Sequence, residues 1–179
     1  MHRTTTRVIL SCAAIGVGGA LVAAGSGYFA ALMATVLPVF YGLTIGTHFL
    51  PSVIALALLK RPGVGILTGL IAGLVASAFA PMWFLRFVGT GLLVGALMEL
   101  PFLVTRYRDW SPWLFYLAGG LSGLVIGIAI AVTFDAERFP PLVQVLYIGL
   151  FVLSPLLFTW LGRLVAKSLE RTGVARSVR

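Results

Sequence analysis

The feature that most restricts this chain is the rhythm of its hydropathy, in which long apolar runs are broken only by short stretches that hold nearly all the charge. A helix needs roughly 20 apolar residues to cross about 30 Å of hydrocarbon. Such runs fall at residues 8–24, 64–80, 86–105, 113–134 and 142–166, and a longer one covers 28–59. Charged residues make up 10% of the chain and the mean hydropathy is +1.07. A soluble domain carries about 25% charged residues, so no water-facing surface can be built from this composition. The expected fold is an all-α membrane protein, a bundle of six transmembrane helices forming one domain over residues 1–179.

The breaks between runs have local causes. Gly25-Ser26-Gly27 is expected to end the first span with a flexible turn. The stretch at 28–59 is too long for one straight crossing and contains Pro38, Gly42, Gly46 and Pro51. It reads as an irregular or re-entrant segment followed by one helix, because broken backbone at membrane depth persists only inside protein or beside a cavity. Lys60-Arg61-Pro62-Gly63 then forms a tight polar turn. Residues 1–24 resemble a cleavable signal peptide, with Arg3 and Arg7 before an apolar run. The run continues into further apolar sequence and is therefore read as a retained helix.

Cationic residues orient the bundle. Lys and Arg concentrate in cytoplasmic loops. With six spans, Arg3, Arg7, Lys60, Arg61, Arg106, Arg108, Arg163, Lys167, Arg171, Arg176 and Arg179 share one side, leaving only Arg86 and Arg138 on the other. Both termini are accordingly expected in the cytoplasm of a bacterium. The net charge of +8 thus reports topology; the cations form no polar patch suited to nucleic acid.

Helices in lipid associate through close backbone approach at small residues. Gly65, Gly69, Gly73 and Ser77 share a face of the third span, and Gly119, Gly123, Gly127 and Ala131 share one of the fifth. Both stripes read as internal seams. Cys12, Gly16, Ala20 and Ala24 form a flat stripe on the first span, suited either to the bundle interior or to docking another protein's helix. Cys12, the sole cysteine, has no disulfide partner and reads as a small packing residue.

Polar residues inside apolar runs are the functional candidates, because lipid makes them costly. Glu99, in register with Gly91 and Gly95, points into a seam, either as a structural carboxyl or as a ligand contact. His48 sits in the broken stretch with Thr44 and Tyr41 one and two turns earlier. Trp83 and Arg86 are interface anchors or the roof of a pocket. Gln144 and Tyr147 lie one turn apart near the outer end of the last span, and Gln144 is the only side-chain amide in a chain without asparagine. A stand-alone carrier or channel relaying protons through Glu99 and His48 is one reading of this set. An intramembrane serine protease is another, since Gly120-Leu121-Ser122-Gly123 matches a short protease pattern. In those proteases the histidine follows the serine, whereas His48 precedes Ser122. The sequence contains no zinc-ligand spacing, nucleotide-binding loop or paired-carboxylate site, so neither a metal site nor a cofactor is expected.

Three strings carry a family resemblance: Leu59-Lys60-Arg61-Pro62-Gly63-Val64-Gly65-Ile66-Leu67, then Gly91-Leu92-Leu93-Val94-Gly95-Ala96-Leu97-Met98-Glu99-Leu100-Pro101-Phe102, then Arg106-Tyr107-Arg108-Asp109-Trp110. Together they resemble the YkoE group, substrate-binding S components of energy-coupling factor (ECF) transporters. The chain departs from that group at Gly69, Ala76 and Val94, which stand in regions where the group carries polar residues. The resemblance implies a non-catalytic subunit that captures thiamine or its hydroxymethylpyrimidine precursor for uptake driven by partners. Those partners would be a transmembrane coupling subunit and two cytoplasmic ATPases. Tyr41, Thr44, His48, Trp83, Glu99, Gln144 and Tyr147 would then be the candidates for binding substrate. The coupling subunit would dock on an Ala-x-x-x-Ala surface of the first helix, for which Ala20 and Ala24, or Ala14 and Gly18, are candidates.

Overall fold

The computed structural model describes residues 2–172, with side chains from Thr6 onward. Among the cations that set the orientation, the side chain of Arg3 and residues Arg176 and Arg179 lie outside the described residues. The described chain is entirely helical. Helix α1 covers His2–Val36, followed by a broken segment made of two 3-10 turns, Pro38–Tyr41 and Gly46–Phe49, around a single α turn, Gly42–Ile45. Then come α2 (Leu50–Leu59), α3 (Val64–Phe79), α4 (Phe84–Val104), α5 (Pro112–Thr133) and α6 (Pro141–Arg171). By length and composition, α1, the broken segment with α2, α4, α5 and α6 are each able to cross a membrane, and α3, with 16 residues, is shorter.

The expected break at Gly25-Ser26-Gly27 is absent, and α1 runs straight through it. Glycine costs a helix only about 1 kcal/mol, and lipid offers no alternative partner for freed backbone groups. Two of the three residues also make contacts that the helix places. Ser26 donates its hydroxyl to Ala23 O at 3.0 Å and meets Thr47 Oγ1 at 2.7 Å, while Gly27 leaves room for the Phe87 ring, where a Cβ would sit 2.7 Å from Cζ. The true end is Leu37, whose φ of −141° and ψ of 69° leave the helical region because the next residue is Pro38.

Both glycine stripes are seams. A Cβ on Gly69 would strike the backbone carbonyl of Gly91, one on Gly91 would strike that of Gly69, and one on Gly95 would come within 2.8 Å of Gly65 O. Helices α3 and α4 therefore touch backbone to backbone. On α5, a Cβ on Gly123 would strike Phe151 O of α6, and one on Gly119 would sit 2.7 Å from Thr159 Oγ1. The α1 stripe also turns inward. Cys12, Ala20 and Ala24 are buried, and Gly16 lies against Ile71 and the Thr68 carbonyl of α3. Ala20 and Ala24 consequently cannot present a surface to another protein, which removes them from the docking candidates. Ala14 and Gly18 occupy the opposite, exposed face.

The turns that follow α2 and α4 are built tightly. Lys60 closes α2 in the left-handed region at φ 48°, and Gly63 follows at φ 80°. At the end of α4, Tyr107 N–H donates to Phe102 O at 2.7 Å and Arg106 N–H to Leu103 O at 2.9 Å. This is a Schellman cap with Arg106, at φ 53°, in the position usually given to glycine.

Candidate substrate site

A cavity of ≈ 380 Å³ opens between the broken segment, α4 and α5. Its volume is at the lower end of the roughly 300–1,000 Å³ typical of small-molecule pockets. Tyr41, Ile45 and His48 come from the broken segment, Arg86, Thr90 and Leu93 from α4, and Ile126 and Ile130 from α5. Tyr41, Ile45 and His48 stand at i, i+4 and i+7, so they share one face of the segment. Ser154 of α6 anchors the middle: its Oγ donates to Leu43 O at 2.7 Å and accepts Gly46 N–H at 3.1 Å.

Arg86 is the polar centre. Its Nη2 donates to Tyr41 Oη at 3.1 Å, and its Cζ lies 5.7 Å from the ring centroids of both Tyr41 and Trp83. Aromatic rings surround this pair. Phe134 and Phe151 lie 5.3 and 6.1 Å from Tyr41, and Phe87 lies 6.1 Å from His48. The surroundings are low in polarity and hold one fixed cation, so a flat ligand with hydrogen-bond acceptors would meet both shape and donor complementarity.

The other candidates fall in different places. Thr44 is buried and spends its hydroxyl on Tyr41 O at 2.8 Å, which stiffens the broken segment without reaching the cavity. Trp83 packs edge-on against Tyr28 and Phe87 and holds Arg86 from outside. Gln144 and Tyr147 line a separate cavity of ≈ 200 Å³ with Glu137 and Ala136. There the Gln144 amide donates to Phe139 O at 2.9 Å and Glu137 O at 3.2 Å, fastening the outer loop.

Of the two readings of Glu99, the geometry favours the structural carboxyl. It sits 13 residues beyond Arg86 on α4, about 20 Å along the helix at 1.5 Å per residue, and its carboxylate belongs to the start of α3. Gly63 N–H donates to Oε1 at 2.6 Å and Ile66 N–H donates to Oε2 at 3.2 Å. Gly63 is the N-cap residue of α3 and has no side chain to cap with. Glu99 supplies that cap from the neighbouring helix, with a negative charge at the positive end of the α3 dipole. Tyr107, in the loop beyond α4, has its phenol pushed above the usual range by burial and then by the Glu99 charge beside it. Glu99 and His48 therefore do not share a site, and among the described residues no hydrogen bond joins Ser122 to His48.

Arg86 and Thr90 belong in the cavity set, and sequence reading gave them too little weight. Their signal was available: Arg86, Gly89, Thr90 and Leu93 recur at helical spacing, and two of them are polar inside an apolar run. The exposed groove on α1 is a second feature. Leu10, Ala14 and Gly18 of α1, Ile54 and Leu58 of α2, and Val165 of α6 border an almost wholly apolar groove of ≈ 550 Å³.

This helical membrane bundle, with a cavity walled by a broken segment and two helices, is the architecture of a substrate-capturing membrane subunit. A solved structure described as an S component of an ECF transporter matches it with a TM-score of 0.84 and 26% sequence identity, covering 95% of this chain and 87% of the other. A model of the family described as ABC-type cobalt transport system, permease component, matches residues 7–125, and the chain belongs to that family. A Bacillus subtilis (strain 168) protein, YkoE, whose name provisionally assigns it as an HMP/thiamine permease, is 29% identical over 138 residues, 76% of this chain and 69% of the relative. The resemblance to YkoE-like S components thus holds in sequence and fold alike. The chain is a multi-pass protein of the bacterial plasma membrane.

Proposed function

We propose that this chain captures a small heteroaromatic nutrient of the HMP/thiamine class from outside the cell in the Tyr41–His48–Arg86 cavity. It presents that nutrient to an ECF coupling subunit and two cytoplasmic ATPases that drive uptake. The observation that carries the reading is the cavity itself, since a space that sets the Tyr41 and His48 rings and the Arg86 cation among aliphatic side chains fits a flat organic molecule. The chain would cross the membrane six times, with α3 as the short crossing and both termini in the cytoplasm. The contribution of the chain is binding and release, with ATP hydrolysis left to its partners.

The family description mentions cobalt, and the residues favour an organic cargo instead. Among the described residues no group of three or more His, Cys, Asp or Glu side chains is placed to hold a metal ion, and the cavity presents a guanidinium that repels a divalent cation. The groove bordered by Ala14 and Gly18 supports docking of the coupling subunit there, because small residues let a partner helix approach closely. Gentle purification from native membranes, followed by mass spectrometry of the released ligand and of co-purified proteins, tests the reading. A bound heteroaromatic and an ATPase pair are the expected finds. Repeated absence of any ATPase or coupling subunit, or a reporter fused after Arg179 that responds outside the cytoplasm, would sink it.

A further inference from the structure

All five acidic side chains of the sequence lie within the described residues, and each is placed outside the lining of the Tyr41–His48–Arg86 cavity. Glu99 caps α3. Asp109 accepts Ser111 N–H at 2.9 Å in the loop between α4 and α5. Asp135 pairs with Arg138 at 3.8 Å in the exposed loop between α5 and α6. Glu137 borders the smaller cavity beside Gln144, and Glu170 lines another near Lys60, Arg163 and Lys167. Arg86 is thus the one charged residue among Asp, Glu, Lys and Arg in the cavity lining. No carboxylate among the described residues pairs with it.

The rings around Arg86 point the same way. A site for a ligand cation offers free ring faces to it. Here the rings of Tyr41 and Trp83 already receive the guanidinium of Arg86, at 5.7 Å from each centroid. A guanidinium carries five N–H donors, and the Tyr41 hydroxyl takes one of the Nη2 hydrogens. The donors left over call for an acceptor, such as a ring nitrogen or a hydroxyl oxygen.

We infer that Arg86 makes this cavity select uncharged heteroaromatic ligands over cationic ones, so that of the two chemistries in the name of the Bacillus subtilis relative it accepts the hydroxymethylpyrimidine and rejects thiamine. The inference rests on the reading of this cavity as the substrate site. A thiazolium held about 6 Å from the guanidinium at an effective dielectric constant near 20 loses affinity by roughly 100-fold. The pyrimidine, neutral in mildly alkaline buffer, escapes that repulsion and accepts hydrogen bonds from the same group.

Calorimetric titration of the detergent-solubilised protein with hydroxymethylpyrimidine and with thiamine, in mildly alkaline buffer, is the test. The pyrimidine is expected to bind about 100-fold more tightly. Arg86→Gln should bring the two affinities to within about tenfold, mainly by improving thiamine, and Arg86→Lys should keep the discrimination because it keeps the charge. Tyr41→Ala should weaken both ligands. Size-exclusion profiles confirm that each variant is folded, and the lysine variant carries the test should the glutamine variant aggregate. Thiamine binding as tightly as the pyrimidine, and lost in Tyr41→Ala, overturns the charge selection while leaving the site intact. Binding of neither probe, or binding that Tyr41→Ala leaves untouched, overturns the site and the selection together.

Discussion

Replacing Glu99 separates a structural carboxylate from a ligand contact, and the geometry gives the size of the effect. Glu99 is 3% exposed and takes N–H donors from Gly63 and Ile66 on different oxygens. In Glu99→Gln one carboxylate oxygen becomes an amide that is itself a donor, so one backbone N–H faces it without an acceptor. A buried donor left unpaired costs about 1–3 kcal/mol, and downgrading the other bond from charge-assisted to neutral costs about 1 kcal/mol more. The sum, about 2–4 kcal/mol, corresponds to a drop of roughly 5–15 °C in unfolding temperature for a domain of this size. Glu99→Ala removes both acceptors and should fall further. Thermal unfolding in detergent, followed by intrinsic tryptophan fluorescence, gives the stability, and ligand titration of the same samples at low temperature gives the affinity. Lower stability with substrate affinity kept within about twofold is the expected outcome, because Arg86, the polar centre of the cavity, lies about 20 Å away along α4. A Glu99→Gln protein that melts like the parent but no longer binds substrate would refute this account.

Other outcomes follow from the packing. Gly91→Val should prevent folding or oligomerise the protein, since its side chain would enter the Gly69 backbone, whereas Gly89→Ala, with nothing within 4 Å of its Cβ, should leave unfolding temperature and elution volume unchanged. Gly18→Trp should abolish co-purification of the coupling subunit while sparing ligand affinity; Ala20→Trp, in the interior, should lower yield and stability instead. Cys12, fully buried, should resist a water-soluble maleimide in the folded protein and react once the protein is denatured in SDS. Ser154→Ala removes the hydroxyl that ties Leu43 and Gly46 to α6, so it should lower stability by about 1–3 kcal/mol and weaken substrate binding, as measured by the same melting and titration assays.

Much of the bundle was legible in the sequence because lipid imposes a length and a polarity on every helix that enters it. The boundaries of α3, α4 and α5 fall within two residues of the hydropathy runs, and the glycine stripes on α3 and α5 were identifiable as seams because only close packing rewards a row of missing side chains. Helix α1 was misread at Gly25-Ser26-Gly27 because propensity rules come from water, where a broken helix can bond to solvent. The site was only half legible. Periodicity shows which residues share a face, and it placed Tyr41 and His48 in an irregular stretch worth attention. It cannot say where a face points, so Ala20 and Ala24 turned inward while Ala14 and Gly18 turned out. Nor does it reveal which helix lies opposite. That pairing alone made Glu99 the cap of α3, separated Gln144 and Tyr147 from the main cavity, and set Arg86 over Tyr41. Transfer of side chains from water to lipid, a property of each residue, determined the spans; long-range contacts between helices, a property of the assembled bundle, decided the chemistry of the cavity.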